Sequence, residues 1–184
     1  MITFKSSFIN NVTIPKLVPN NKNLGQNCAL VEFNTNSGSD YNLLDEISKN
    51  WNGGRSYATD VFDYFSTQGI CRGISFFPSH RYFGLIDETE GKIDSKSVLA
   101  VINVLEEKKD NSCTLAYLQV NPKHVYGAET RKYKHIGQTI VESMLNIISA
   151  KTFKAIPGNE KSKKFLEKLN FKQTIESVYM TLKR

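Results

Sequence analysis

The stretch that most constrains the fold is residues 114–148, where a strand, a basic turn and a helix follow one another. The apolar run Leu115-Ala116-Tyr117-Leu118-Gln119-Val120 predicts the strand, and Asn121-Pro122 ends it. The basic turn is Arg131-Lys132-Tyr133-Lys134-His135-Ile136-Gly137, and apolar residues at helical spacing follow it. Because the first N–H groups of a helix lack intrahelical partners and lie at the positive end of its dipole, this arrangement predicts a site for a diphosphate.

The alternative interpretation of the turn is a solvated basic loop. Such a loop would need neither a glycine nor a long helix directly behind it, so the context favours phosphate binding. The helix pattern is the clearest in the chain. Its predicted apolar face holds Ile136, Ile140, Met144 and Ile147 or Ile148. Residues 152–156 predict a strand beyond the helix, so the unit is β-α-β and its two strands are predicted to be parallel.

Size and composition place the chain among ordinary globular proteins. Its 184 residues predict one domain, and its apolar content of 40% is typical of a folded protein. No segment approaches the roughly 18 apolar residues that span a membrane, and the N-terminus lacks the apolar core of a signal peptide. Cys28, Cys71 and Cys113 are far apart and form no CxxC pair, which argues against disulfides and a metal site. Together these features predict a cytoplasmic protein without a bound metal.

The net charge of +6 leaves two interpretations open. A basic balance can favour an anionic partner such as nucleic acid, the ribosome or a phosphorylated ligand. Alternatively, the lysines simply solvate the surface. Much of the excess lies late in the chain, in residues 131–134 and 161–168.

The N-terminal half is predicted to contain β segments and two helices. Residues 1–9 and 12–17 read as two short β segments split by Asn10-Asn11, and residues 28–33 read as a stronger strand. Asp40 is predicted to cap a helix that runs to Trp51, and Thr59 a second, shorter one. The predicted apolar face of the first helix holds Leu43, Leu44, Ile47 and Trp51. The aromatic residues of these helices are interpreted as core, and the alternative is that the helix pair covers a substrate pocket.

The remaining elements are mainly strands. Residues 74–77 and 82–87 predict one interrupted strand or two, because Pro78-Ser79-His80 lies between them and His80 reads as a turn residue. Residues 98–105 predict a strand that forms a hairpin with residues 115–120. Asn159 is predicted to cap a helix ending near Leu169, with Asn170 in the left-handed conformation. One or two strands are predicted within residues 171–183.

Three pieces of the chain resemble the GNAT acetyltransferase superfamily. Val120-Asn121-Pro122-Lys123 is similar to the end of the family's fourth strand. Lys132-Tyr133-Lys134-His135-Ile136-Gly137 is similar to its pyrophosphate motif, Gln/Arg-x-x-Gly-x-Gly/Ala. Residues 159–171, which read NEKSKKFLEKLNF, are similar to its late segment Asn-x-x-Ala-x-x-Phe-Tyr-x-x-x-Gly-Phe. The resemblance is specific over residues 114–171 and only topological before them.

The resemblance implies an α/β (α+β) fold. The implied sheet is mixed and mostly antiparallel, with helices on both faces and a V-shaped splay between the family's strands 4 and 5. A single acetyltransferase-like domain is expected over residues 1–184, with an N-terminal β extension over residues 1–26 and a cofactor-binding core over residues 114–171. Either terminal β segment could offer an unpaired edge to a second copy of the chain, so a homodimer is one expected assembly.

The resemblance also implies acetyl-coenzyme A (acetyl-CoA) as co-substrate and an amine as acceptor. The diphosphate would bind backbone N–H groups of residues 133–138, and the pantetheine arm would pair with the exposed backbone of residues 118–120. An N–H group in the splay would polarise the thioester carbonyl. The residues expected to bind the cofactor are Leu118, Gln119, Val120, Lys132, Tyr133, Lys134, His135, Ile136, Gly137, Gln138, Asn159 and Lys163.

Three positions depart from the family's pattern. Lys132 takes the Gln/Arg position and keeps its polarity. His135 takes the position of the first glycine, which puts a side chain where the family usually has none. Leu166 takes the position of the usual tyrosine, a common proton donor to the departing thiolate. The donor in this chain is therefore another group, water or nothing.

No general base stands out in the sequence. Thr114 occupies the position where some protein-acetylating members keep a glutamate. His124 and Glu129 lie in the loop after the strand and are candidate catalytic residues, because they could reach an acceptor amine. For His124, the alternative is a surface histidine with no role.

Two functions are consistent with these features. The first is an N-acetyltransferase that moves an acetyl group from acetyl-CoA to an amine by direct attack in a ternary complex. The second is a catalytically weak or inactive module that keeps the fold and binds a polyanion, such as nucleic acid, or a protein partner. The acceptor is open among small amines, antibiotics, protein N-termini, lysines and aminoacyl-tRNA.

Overall fold

A mixed sheet with helices on both faces forms the centre of the molecule. The computed structural model describes residues 7–16, 24–34, 37–51, 79–87, 93–125, 127–129, 132–173 and 177–184. In chain order the elements are β1 (Ser7–Lys16), β2 (Leu24–Phe33), α1 (Gly38–Trp51), β3 (Ser79–Asp87), β4 (Val98–Glu107), β5 (Ser112–Val120), α2 (Ile136–Ile147), β6 (Thr152–Ala155), α3 (Glu160–Lys168), β7 (Lys172–Gln173) and β8 (Met180–Lys183). The spatial order of the strands is β1-β2-β3-β4-β5-β6-β8-β7. The predicted fold class is confirmed.

The pairing of β5 with β6 is parallel, and every other pair of described strands is antiparallel. The helix α2 supplies the crossover that a parallel pair needs, which confirms the predicted β-α-β unit. The predicted hairpin between β4 and β5 is also confirmed, with Ala100 opposite Val120 and Glu107 opposite Ser112. The strands β5 and β6 are therefore the pair between which the splay is expected.

Two apolar cores fill the space between the sheet and its helices. On one face, the predicted stripe of α1 is buried against the sheet; it consists of Leu43, Leu44, Ile47 and Trp51. On the other face, α2 buries Ile136, Ile140, Val141, Met144 and Leu145, and α3 adds Leu166. Each such side chain stabilises the fold by about 1.5–3 kcal/mol relative to an exposed position. The sheet is thus held from both sides, and α2 is fixed with its N-terminus near the end of β5.

Three sequence predictions about element boundaries were wrong. The strand β1 runs through Asn10-Asn11 without a break, because pairing with β2 and a bulge near Phe8 absorb the irregularity. The strand β3 includes Ser79 and His80, because both pair with β4, so His80 is not a turn residue. The helix α1 begins at Gly38.

Asp40 therefore lies inside the first turn of α1 and is not its cap. Its side chain is buried, and its Oδ2 accepts a hydrogen bond from the Asn34 N–H at 2.8 Å. A carboxylate in the first turn of a helix also suits the helix dipole. The residue type therefore indicated a helix start nearby. The hydrogen bond to Asn34, six residues earlier in the chain, instead holds Asp40 inside the first turn.

Several other predictions can be compared directly with the structure. Asn159 caps α3 as predicted, and Asn170 has a positive φ of 66°. The predicted helix capped by Thr59 and the predicted strand at residues 74–77 lie outside the described residues. Across the described part of the chain, no helix has the length and apolar character that a membrane crossing needs.

Candidate functional site

The sheet opens where β5 extends beyond the end of β6. The two strands pair only from Ser112 with Thr152 to Leu115 with Ala155. Beyond that point β5 continues to Val120, whereas β6 has ended. The far half of β5 therefore presents an edge with no described strand on that side, which is the V-shaped splay that the family resemblance implied. An unpaired strand edge can accept another extended chain or an extended ligand.

A β-bulge lies at the start of this splay. Asn103 pairs with Tyr117 and Val104 pairs with Leu115, so Ala116 is the extra residue of β5. A bulge leaves the extra residue outside the regular ladder and bends the strand. The backbone of Ala116 is thus turned out of the β4–β5 pairing next to the point where β6 separates. This is the position at which a backbone N–H could meet a ligand carbonyl.

A cavity of about 630 Å³ occupies the splay. Its walls include Ala116, Tyr117 and Leu118 from β5, and Ile156, Gly158 and Asn159 from the segment after β6. Phe165 and Leu166 of α3 also line it, together with His80, Thr114 and Tyr179. The volume is in the range of small-molecule sites, and most of the lining is apolar with a few polar groups.

The N-terminus of α2 lies beside the far half of β5. Backbone N–H groups of Ile136, Gly137 and Gln138 make no hydrogen bond with any described residue outside the helix, and the first N–H that returns to the preceding turn is that of Thr139, to the His135 carbonyl at 2.8 Å. These N–H groups lie at the positive end of the helix dipole, so they could hold an anion.

His135 adopts the backbone conformation that glycine usually provides. It precedes α2 with φ 58° and ψ 18°, in the left-handed region. The side chain is exposed, so it need not displace a core residue. The departure from the glycine pattern therefore does not alter the type of turn, although a non-glycine residue in this region costs about 1–2 kcal/mol.

Gly137, in the first turn of α2, faces residues of β5 and α3. A Cβ atom at this position would lie 3.5 Å from Val120 Cγ2, 3.7 Å from Leu118 Cδ2 and 3.7 Å from Phe165 Cζ. These are ordinary van der Waals distances, so alanine would fit without strain, while a longer side chain would press against these three residues. Leu118 and Phe165 also line the cavity, so the first turn of α2 lies next to it.

Tyr133 and Ile136 have side chains in the core, at 3% exposure each. The Tyr133 hydroxyl donates a hydrogen bond to Asp87 Oδ2 at the end of β3, and this pair is buried. Only the backbones of Tyr133 and Ile136 are therefore available for their predicted part in phosphate binding. The side chain of Tyr133 instead fastens the turn to the sheet.

The basic side chains around this turn are accessible. Lys132 and Lys134 are exposed and Lys163 is half-exposed, and none of them takes part in an ion pair with a described residue. Gln138 donates from Nε2 to Glu142 at 2.9 Å. The lysines can therefore neutralise phosphate charge, whereas the side chain of Gln138 is already engaged.

Asn159 both caps α3 and lines the cavity. Its Oδ1 accepts a hydrogen bond from the Ser162 N–H at 2.9 Å, and the Ser162 Oγ accepts one from the Asn159 N–H at 2.9 Å. This capping box fixes the side chain where it lines the cavity. The predicted positions Leu118 and Asn159 thus line the same cavity, while Val120 and Gly137 lie close to each other beside Leu118.

The two predicted catalytic residues are not brought to the cavity. His124 lies against the ring of Tyr133, with ring centroids 5.2 Å apart, near the end of β3 that carries Asp87. Its pKa is lowered by burial and by the neighbouring charge of Lys132. Glu129 is exposed in the loop. Neither lines the cavity, so the structure gives no support to a catalytic role for either.

His80 is a cavity residue that the sequence did not reveal. It is half-buried in β3, and its Nδ1 is 2.9 Å from Asn103 Oδ1. Burial lowers its pKa, while the hydrogen bond with Asn103 acts in the opposite direction. Tyr117 and Tyr179 are the other polar aromatic residues in this part of the cavity. The signal that could have found His80 is the alternation of side chains along β3. The sequence analysis instead placed an interruption at Pro78-Ser79-His80.

Comparison with solved structures supports the fold. AtaTR bound with acetyl-CoA is 14% identical, with a TM-score of 0.55, over 85% of this chain and 92% of that chain. PaiA N-acetyltransferase from Thermoplasma acidophilum in complex with coenzyme A is 15% identical, with a TM-score of 0.54, over 85% of this chain and 99% of that chain. A GNAT-family protein from Desulfovibrio desulfuricans is 11% identical, with a TM-score of 0.55, over 85% of this chain and 98% of that chain.

No protein-family model and no curated protein sequence matches the chain. The sheet order, the parallel pair and the structural matches nevertheless define the class: the chain has the fold of the GNAT acetyltransferases. Two of these three structures hold acetyl-CoA or coenzyme A.

Proposed function

We propose that this protein is an N-acetyltransferase that uses acetyl-CoA and an amine acceptor. The observation that carries the proposal is that the cavity at the splay is lined by Leu118 and Phe165, which are also the neighbours of Gly137 in the first turn of α2. The first turn of α2 offers N–H groups for a diphosphate, and the cavity offers an apolar chamber next to a β-bulge. An extended arm between them matches the free edge of residues 116–120.

In this proposal, the backbone of the protein performs most of the binding. The N–H groups of Ile136, Gly137 and Gln138 hold the diphosphate, and Lys132 and Lys134 add positive charge. The far half of β5, residues 118–120, pairs with the amide groups of the pantetheine arm. The thioester then lies beside Ala116, where a backbone N–H stabilises the oxyanion that forms when the amine attacks.

Isothermal titration with acetyl-CoA and coenzyme A tests the binding part of the proposal. We expect binding to the wild type and to Gly137→Ala, because the extra methyl group meets only ordinary contacts. Gly137→Asp should reduce the affinity at least about 100-fold, since it places a carboxylate in the first turn of α2, beside the proposed phosphate site. If the wild type, shown to be folded by circular dichroism, binds neither compound, the proposed function is wrong.

A thiol-release assay tests the transfer part. Acetyl-CoA is mixed with separate pools of small amines, peptides with free N-termini, lysine-containing peptides and aminoacyl-tRNA. We expect release of coenzyme A above the rate without protein in at least one pool, and acetylated product by mass spectrometry. This screen also identifies the class of acceptor.

The second candidate is a module that keeps the fold but has little or no catalytic activity and binds a polyanion. Leu166, where the family usually has tyrosine, is 6% exposed and offers no proton. The exposed lysines Lys161, Lys164 and Lys168 of α3 add a basic surface. Binding of a duplex RNA that weakens steeply with added salt, together with no thiol release in any pool, would favour this second function.

A further inference from the structure

We propose that His80 is the general base that removes the proton from the acceptor amine, and that Asn103 holds its imidazole in the required tautomer. This inference rests on the proposed acetyl transfer and adds the catalytic group that the sequence did not reveal. It depends on where His80 lies in the sheet, on the hydrogen bond that it makes and on the charges around it.

The pairing of the strands places His80 on the wall of the cavity. His80 is opposite Leu105 of β4, and Leu105 is opposite Thr114 of β5. Residues directly opposite each other share one face of a sheet, and all three line the cavity. The bulged residue Ala116 lies two residues farther along β5.

The distance from His80 to the expected thioester suits an amine between them. Two strand spacings of about 4.8 Å separate β3 from β5, and two residues along β5 add about 7 Å. The Cα atoms of His80 and Ala116 are therefore roughly 12 Å apart by this ladder geometry. An imidazole, an amine nitrogen and at most one water fill this span, which is the reach that general-base catalysis requires.

The hydrogen bond with Asn103 determines which ring nitrogen is basic. Asn103 Oδ1 can only accept, so the His80 Nδ1, at 2.9 Å, carries the proton and donates it. The lone pair of the ring is then on Nε2. A neutral imidazole with a protonated Nδ1 is the form that a general base needs before the reaction.

Asn103 is otherwise a costly residue at its position. It is 1% exposed, and its Nδ2 has no hydrogen-bond partner in the described structure. A buried polar group without a partner costs about 1–3 kcal/mol, and an apolar residue of similar size would avoid this cost. The hydrogen bond of its Oδ1 to His80 gives a reason for an amide here, and Asn103 is therefore assigned as a positioning residue.

The surroundings keep His80 neutral near pH 7. Its pKa is lowered by burial, and the contribution from Asn103 is smaller and opposite. The titratable side chains that line the same cavity are Tyr117 and Tyr179. Charged groups on the neighbouring strands are held in two sets of ion pairs: Arg81 with Glu32 and Glu106, and Lys154 with Glu107. No charge is among the causes of the His80 shift.

In the proposed step, the acetyl group passes directly from the sulfur of acetyl-CoA to the amine nitrogen. The amine nitrogen forms a bond with the thioester carbon while its surplus proton moves to His80 Nε2, directly or through one water. The C–S bond then breaks, the electron pair leaves on sulfur as a thiolate, and the product is an N-acetyl amide. The imidazolium of His80 loses its proton to solvent before the next cycle.

The test compares three variants in acetyl transfer to the best amine from the thiol-release screen. His80→Gln retains a hydrogen-bonding side chain but has no basic nitrogen. His124→Gln makes the same change at the other half-buried histidine, outside the cavity. Asn103→Leu removes the positioning amide and leaves His80 in place. Acetyl-CoA affinity is measured for each by isothermal titration, and kcat/KM is measured from pH 5.5 to pH 9.

We expect kcat/KM of His80→Gln to fall about 100-fold or more, in line with the usual contribution of a general base. The inflection that marks deprotonation of the base should disappear, while the acetyl-CoA affinity stays unchanged. His124→Gln should retain the wild-type rate and profile. Asn103→Leu should keep its stability but lose activity, with the inflection at lower pH, because the bond that raises the His80 pKa is gone.

The outcomes separate this inference from the proposed function. If the wild type binds no acetyl-CoA, or transfers acetyl to no amine, the proposed function fails and the role of His80 fails with it. If the wild type transfers acetyl and His80→Gln keeps the rate and the pH inflection, only the role of His80 is overturned. A collapse of activity in His124→Gln but not in His80→Gln would also overturn it.

Discussion

At the scale of single residues, two half-buried histidines stand out because their environments act in the same direction. Burial is the largest cause that lowers the pKa of His80, and also that of His124. In the unfolded chain, both groups return to their ordinary value of about 6.5. The folded protein therefore binds fewer protons than the unfolded chain as the pH falls through this value.

We predict that the free energy of unfolding decreases as the pH falls from 7.5 to 5.5. Because the folded-state pKa of each histidine lies below its unfolded-state pKa, acid stabilises the unfolded chain relative to the folded protein. This destabilisation of the folded protein is absent well above pH 6.5. Urea unfolding at both pH values measures the effect. His80→Gln and His124→Gln should each reduce the pH dependence, and a variant with the full wild-type dependence would show that its histidine does not contribute.

A second residue-scale prediction concerns the glycines. A Cβ atom at Gly84 of β3 would lie 2.6 Å from the Phe33 ring, whereas a Cβ atom at Gly38 would meet nothing within 4 Å. Gly84→Ala should therefore lower the free energy of unfolding by about 1–3 kcal/mol through overpacking of a buried ring. Gly38→Ala is the matched control, and urea titration should show it at least as stable as the wild type.

At the scale of secondary-structure elements, the start of α2 places a strained backbone conformation next to a proposed binding site. His135 holds a left-handed conformation directly before the N–H groups that form the proposed phosphate site. The turn is fixed from one side by the buried Tyr133 and from the other by the packing of Ile136. Strain in such a position persists because the surrounding structure determines it.

Substitution at His135 should reveal that strain. We predict that His135→Gly raises the free energy of unfolding by up to about 1 kcal/mol, because glycine adopts a positive φ without a steric penalty. His135→Val should lower it by at least about 1 kcal/mol, since a branched Cβ is poorly tolerated there. Thermal unfolding of the two variants distinguishes them, and equal losses in both would argue against a strained turn.

The sequence predicted the elements whose signals are local. The apolar stripe of α2, the cap at Asn159 and the left-handed Asn170 each follow from residues within a few positions of one another. The start of β3 at Ser79 and its course through His80 did not, because they depend on pairing with β4. The partner of His80 is 23 residues away, so local alternation could have indicated the strand but not the hydrogen bond to Asn103.

At the scale of the whole molecule, the hydrogen bond between Tyr133 and Asp87 connects distant parts of the chain. The two residues are 46 positions apart, and both are buried. Asp87 ends β3, on which His80 also lies, while Tyr133 precedes the helix that offers the proposed phosphate site. The bond thus fixes the proposed phosphate turn against the strand that carries the proposed base.

We predict that Tyr133→Phe lowers the free energy of unfolding by about 1.5–3 kcal/mol, as expected for a hydrogen bond to a carboxylate. It should also weaken acetyl-CoA binding, because the turn loses its attachment to the sheet. A double-mutant cycle with Asp87→Asn measures the coupling between the two residues. Additive effects in that cycle would show that the two side chains act independently.

The splay has a consequence for protection of the backbone against solvent. Only four residue pairs join β5 to β6. The half of the sheet that ends with β5 is therefore connected to the half that begins with β6 by a short ladder of hydrogen bonds. Amide hydrogens there should exchange with deuterium sooner than those of β3 and β4, which are paired along their length. A ligand arm lying along residues 116–120 would extend that ladder, and the thioester carrier would then act as a temporary ninth strand.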